Sequence, residues 1–142
     1  MIAARIPEGV EGLTVSGGEP FLQKNLIAWL TAFRELRPDL RIVVLSGFSE
    51  AELNMKLIRA TECLDVVVAG RFEQDKAVAS NLAGSSNKRH IFVTGRVRMD
   101  FFRNLPKSEV MVTKNGLFAT GMMDSRKLNG YLTEYGISLE VL

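Results

Sequence analysis

LTVSGGEP (residues 13–20) decides how the chain is read, because it joins a strand pattern to a helical one through two glycines, an acid and a proline. Leu13 and Val15 are apolar and alternate with Thr14 and Ser16, the period-two pattern of a pleated strand. Beyond it Phe21, Leu22, Leu26, Ile27, Trp29, Leu30, Phe33 and Leu36 recur every three or four residues, which predicts a helix that Pro20 opens at its first position. The turn therefore lies at the carboxyl end of a strand. Ligands of α/β folds bind there, because the loops and helix N-termini at that end carry free backbone donors.

The same unit repeats downstream. Residues 41–45 (RIVVL) form the near-continuous apolar run of a strand buried on both faces, and Ser46-Gly47 ends it. Ser49 with Glu52 three residues on fits a capping box, and Leu53, Leu57, Ile58 and Met55 supply the inward face of a helix reaching about Thr61. Residues 65–69 (DVVVA) predict a third buried strand, closed by Gly70. Strands alternating with helices imply right-handed crossovers and a parallel sheet. Residues 71–88 are polar and predict an ordered loop with one helical turn over 76–82, and residues 90–94 (HIFVT) predict another strand. Residues 109–113 and 117–121 alternate around Lys114-Asn115-Gly116, a strong hairpin signal. Asp124 or Ser125 caps a last helix carrying Leu128, Tyr131, Leu132 and Tyr135, with Gly136 as its terminator.

The 142 residues read as a single domain, and 46% apolar with 24% charged residues is the composition of a soluble globular protein. A net charge of +2, with Lys and Arg dispersed, gives no argument for nucleic acid as a partner. No apolar run approaches the roughly 20 residues that span a bilayer and no signal-peptide core is present, so no membrane association and a cytoplasmic location are expected. The single cysteine, Cys63, excludes an internal disulfide framework, and its apolar neighbours mark it as a buried structural thiol. His90, the one histidine, reads as a strand or surface residue.

Taken alone, Gly17 and Gly18 need only permit a tight connection, and Glu19 suits the dipole of the helix it begins. The full string, Val15 to Gln23 (VSGGEPFLQ), is more specific and resembles the GGE segment of radical S-adenosylmethionine enzymes, above all the activating enzymes of glycyl-radical proteins. Residues 67–72 (VVAGRF) and 82–89 (LAGSSNKR), with the closing VxVxxNG hairpin and Thr120-Gly121, resemble the activating proteins of anaerobic ribonucleotide reductase. Together these stretches extend the similarity over nearly the whole chain. It departs from the usual pattern at Ala69, Arg71 and Lys88, where an acidic residue, proline and glutamine are common.

The resemblance implies an α/β fold, a partial (β/α) barrel of parallel strands with an added C-terminal β-hairpin and helix. It implies S-adenosylmethionine and a 4Fe-4S cluster as cofactors, an anaerobic ribonucleotide reductase as the glycyl-radical partner, and an electron donor such as flavodoxin. The complete enzyme would cleave S-adenosylmethionine to methionine and a 5′-deoxyadenosyl radical, and use it to remove hydrogen from a backbone glycine. By that resemblance Gly17, Gly18 and Glu19 orient the methionine amino group, with Ser46 and Gly47 as weaker candidates for the cofactor's carboxylate or ribose. Glu19, at a helix start near solvent, is expected to matter little for folding. The polar loop over residues 84–89 is expected to contact the partner, close over the cofactor or simply be solvated.

The cluster of this family needs three thiolates, usually CxxxCxxC, and this sequence has one cysteine. With GGE only sixteen residues in, and residues 2–6 reading as the tail of a helix, the expectation is the C-terminal portion of an activating enzyme whose cluster ligands are not in this chain. A noncatalytic α/β cofactor-binding or interaction module stands as the alternative. Neither GxGxxG nor a Walker lysine motif is present to support a common nucleotide version of it.

Overall fold

A computed structural model describes residues 6–57, 60, 62–106, 108–113, 116–121 and 125–134. The expected helix tail over residues 2–5, together with Ile58, Thr61, Asp124, Tyr135 and Gly136, lies outside the described residues, as do the side chains of Met55, Leu57, Leu128 and Tyr131.

The chain is α/β. Strands β1 (Gly12–Val15), β2 (Arg41–Ser46), β3 (Val66–Ala69) and β4 (Arg89–Phe92) form one open sheet in the order β1-β2-β3-β4. The first three run parallel, with Val15 opposite Val44 and Ser46 opposite Ala69, so the carboxyl ends of β1, β2 and β3 face the same way. β4 runs antiparallel to β3, pairing Arg89 with Ala69. The expectation of parallel strands fails here for a simple reason. Residues 71–88 hold no crossover helix, only a 3₁₀ turn at Gln74–Lys76 and a return leg joined by an Ala77–Ser85 bridge, so the chain re-enters at the end where β3 left off.

Burial follows the pleat. Ile42, Val44, Val67 and Ala69 face one core with Leu26, Leu30 and Phe33 of helix α1 (Leu26–Leu36) and Leu53 of helix α2 (Glu50–Leu57). Val43, Val66 and Val68 face the other with Ala83, Val97 and Phe102. Phe102 belongs to a short helix, α3 (Met99–Arg103), that the sequence reading did not anticipate; it is fully buried and meets His90 edge-on, the ring centres 4.6 Å apart. Strands β5 (Ser108–Thr113) and β6 (Gly116–Gly121) form the expected hairpin, with Thr113 opposite Gly116, and helix α4 (Ser125–Glu134) follows.

The first helix starts later than predicted. Pro20–Leu22 is a 3₁₀ turn, Gln23 returns to extended backbone, and α1 begins only at Leu26. The apolar stripe divides accordingly: Phe21, Leu26, Leu30 and Phe33 are buried, whereas Leu22, Trp29 and Leu36 are exposed. The capping box at α2 forms as expected, with Ser49 N–H donating to Glu52 Oε2 at 2.7 Å and Glu52 N–H donating to Ser49 Oγ at 3.4 Å. The Ser49 N–H and hydroxyl hold the Glu52 carboxyl below its ordinary range. Its share of the cap is in place above that range and is lost as pH falls through the lowered value. Ser49→Ala is expected to lower stability by about 1 kcal/mol, the ordinary cost of losing an N-cap, in urea denaturation at neutral pH.

Candidate functional site

The mouth of the parallel sheet is assembled from two turns. After β1 the backbone passes through Gly17 (φ +98°) and Gly18 (φ +53°), left-handed conformations that a side chain would strain, and a Cβ at either would meet no atom within 4 Å. The glycines are demanded by the turn's path. They leave the backbone bare at the carboxyl end of the strand.

That path delivers Glu19 to the end of β2. Its Oε1 accepts from Phe21 N–H at 3.1 Å and from Ser46 Oγ–H at 2.9 Å, and its Oε2 accepts from Gly47 N–H at 2.7 Å. The structure thus brings Glu19, Ser46 and Gly47 into one hydrogen-bonded unit, with Gly17 and Gly18 leading into it. Glu19 caps the 3₁₀ turn through Phe21 N–H, and the rest of its carboxylate is turned into the β2–α2 connection. This explains why Pro20 does not open a long helix. Because Glu19 bridges two strand ends, the sequence-based expectation that it matters little for folding is revised.

All three donors to Glu19 are neutral, and the carboxylate enters no ion pair among the described residues. A carboxylate offers about four acceptor positions, so one, on Oε2, is left for a further donor. Three hydrogen bonds fix the carboxylate in place. That is a fitting receptor for a cation carrying N–H groups, because hydrogen bonds between charged partners are roughly twice as strong as neutral ones.

Two supporting residues were not singled out from the sequence. Lys56 on α2 donates from Nζ to Phe21 O at 3.1 Å while its ammonium lies 4.4 Å from the centre of the Phe48 ring, fastening the 3₁₀ turn to α2. Their spacing carries no recognisable motif. Around the mouth, Arg71 pairs with Glu52 at 3.3 Å and Arg89 with Glu50 at 3.5 Å, exposed ion pairs that contribute little to stability. The polar loop is ordered by its own contacts: Ser86 N–H donates to Lys76 O, Val78 N–H to Gly84 O, and Asn87 Nδ2 to Arg71 O.

Residues 1–91 match the family described as 4Fe-4S single cluster domain. The anaerobic ribonucleoside-triphosphate reductase-activating protein of Pasteurella multocida (strain Pm70) is 34% identical over 84 residues, covering 55% of this chain and 53% of that protein. The chain therefore spans about half the length of the curated relative it matches. That relative agrees with the resemblance drawn from the GGE and GSSNKR stretches. No solved structure matches the chain.

A 4Fe-4S cluster does not fit the residues at hand. Cys63 is the one cysteine of the sequence, it is 2% exposed, and its Sγ is directed at Ala60 O 3.6 Å away. Burial pushes its thiol above the usual range, away from the thiolate that iron requires. Among the described residues no group of three His, Cys, Asp or Glu side chains could hold a metal ion. The chain given iron and sulfide under anaerobic, reducing conditions is expected to gain no stoichiometric absorbance near the visible bands of a cluster. Four irons bound per chain would show that these residues had been misjudged.

Proposed function

The chain belongs to the 4Fe-4S single cluster domain family, and from that premise we propose that it is the S-adenosylmethionine-binding portion of an activating enzyme for an anaerobic ribonucleotide reductase. The observation that carries this reading is the Glu19 carboxylate, held by three neutral donors at the mouth of the parallel strands with an acceptor position to spare. Glu19 receives the methionine ammonium. Gly17 and Gly18 let the backbone come close to the same end of the ligand, Gly47 forms the adjoining wall, and Ser46, too buried to reach the cofactor's carboxylate or ribose, backs the Glu19 carboxylate from behind. S-adenosylmethionine, when bound, supplies the hydrogen-abstracting chemistry through its reductive cleavage.

In this reading the open sheet is one portion of a (β/α) barrel, residues 1–142 are one domain, and the cluster thiolates are supplied from outside these 142 residues. The protein partner is the reductase whose backbone glycine is activated, and a flavodoxin-like protein is the electron donor. The setting is cytoplasmic; no helix among the described residues is long and apolar enough to cross a membrane. The buried, lone Cys63 favours a second reading, a noncatalytic α/β cofactor-binding or interaction module.

Equilibrium titration with S-adenosylmethionine and its deamino analogue, in which hydrogen replaces the α-amino group, tests the assignment. Loss of one charge-assisted hydrogen bond predicts roughly tenfold or greater weakening for the analogue. Equal affinity for the two would remove Glu19 as the ammonium receptor.

A further inference from the structure

Resting on the reading of Glu19 as the ammonium receptor, the geometry points to Ser46 as a positioning residue that sets the Glu19 carboxylate for its ligand without touching that ligand. Ser46 is 1% exposed at the end of β2. Its one hydroxyl proton is committed to Glu19 Oε1 at 2.9 Å, and its oxygen accepts from Phe48 N–H at 3.1 Å. The backbone of the β2–α2 connection thus fixes the hydroxyl, and the hydroxyl fixes the carboxylate.

The two carboxylate oxygens then divide the work. Oε1, with Phe21 N–H and Ser46 Oγ–H, has both its acceptor positions filled; Oε2, with Gly47 N–H alone, keeps one open. Without Ser46, one donor on each oxygen, Phe21 N–H on Oε1 and Gly47 N–H on Oε2, would remain, and the long, rotatable glutamate side chain would regain some of the conformations that the ligand must then freeze out. Ser46 acts on affinity through preorganisation.

The test is the affinity of the full 142-residue chain for S-adenosylmethionine, by titration calorimetry, in wild type, Ser46→Ala, Ser46→Thr, Glu19→Ala and the Ser46→Ala/Glu19→Ala double variant, with thermal unfolding of each recorded alongside. Ser46→Ala is expected to weaken binding about fivefold to tenfold, the scale of one hydrogen bond. Ser46→Thr, which keeps a hydroxyl, is expected to restore it. In the Glu19→Ala background the Ser46→Ala change is expected to add less than about twofold, because its route to the ligand is already gone. If Ser46→Ala will not fold, Ser46→Cys, with a weaker donor in a similar volume, is expected to show a partial loss. Wild-type affinity in Ser46→Ala or Ser46→Cys, or an undiminished Ser46→Ala loss in the Glu19→Ala background, would overturn the positioning role while leaving Glu19 in place. Wild-type affinity in Glu19→Ala would overturn both.

Discussion

Asp65→Ala is expected to lower stability by about 3–5 kcal/mol in urea denaturation, the cost of leaving a buried charge without its partner. Asp65 is fully buried at the entrance to β3. Its Oδ2 accepts from Ile42 N–H at 2.8 Å and from Arg34 Nη2 at 2.7 Å, and its Oδ1 accepts from Thr94 Oγ–H at 2.7 Å. One side chain thereby fastens α1, β2 and the segment leaving β4 to β3. Removing it leaves the Arg34 guanidinium, whose side chain is 11% exposed, without its counter-charge though still bonded to Leu40 O, and orphans the Ile42 amide inside the sheet. Arg34→Ala should cost less, because Asp65 keeps the Ile42 N–H, the Thr94 hydroxyl and the Arg96 guanidinium 3.9 Å from Oδ1, and the double variant should cost less than the sum, because the two share one interaction. A loss under about 1 kcal/mol for Asp65→Ala would mean that water or relaxation replaces these bonds.

Glu19→Ala is expected to act on two readouts at once. Binding of S-adenosylmethionine should weaken by about 1.5–3 kcal/mol, the range for a hydrogen bond to a charged group. Folding should also suffer, by about 1–3 kcal/mol, because the nearly inaccessible Ser46 hydroxyl loses the acceptor of its proton and a link between the ends of β1 and β2 is cut. The Gly47 amide is exposed and finds water, so it adds little to that cost. Thermal unfolding and ligand titration of the same preparation separate the two effects. A loss of stability without a loss of affinity would make Glu19 a strut between strands and nothing more.

Much of this organisation can be read from local patterns. The β2 and β3 strands appear as unbroken apolar runs because both faces of the sheet are covered, and Ser49 with Glu52 is a cap whose partners lie three residues apart. What escapes the sequence depends on distant partners. Asp65 looks like the polar start of a strand, but its bonds to Arg34 and Thr94 cross 31 and 29 residues. Helix α3 has five residues, too few for a period to show, and Phe102 is buried by rings from β4. At the candidate site both strand ends are legible, GGE by its glycines and Ser-Gly as a terminator. Their union is not, since the Glu19–Ser46 bond spans 27 residues and commits the acid to the end of β2 as well as to the 3₁₀ turn that it caps.

The central claim, that Gly17, Gly18 and Glu19 form the ammonium end of an S-adenosylmethionine site, is tested most directly by calorimetric titration of the purified chain with S-adenosylmethionine and, in parallel, with ATP, in wild type and Glu19→Ala. The account predicts that the wild type prefers S-adenosylmethionine and that Glu19→Ala, folded under the same conditions, binds it roughly tenfold or more weakly. A clear preference for ATP, or an affinity for S-adenosylmethionine that survives in Glu19→Ala, would contradict it.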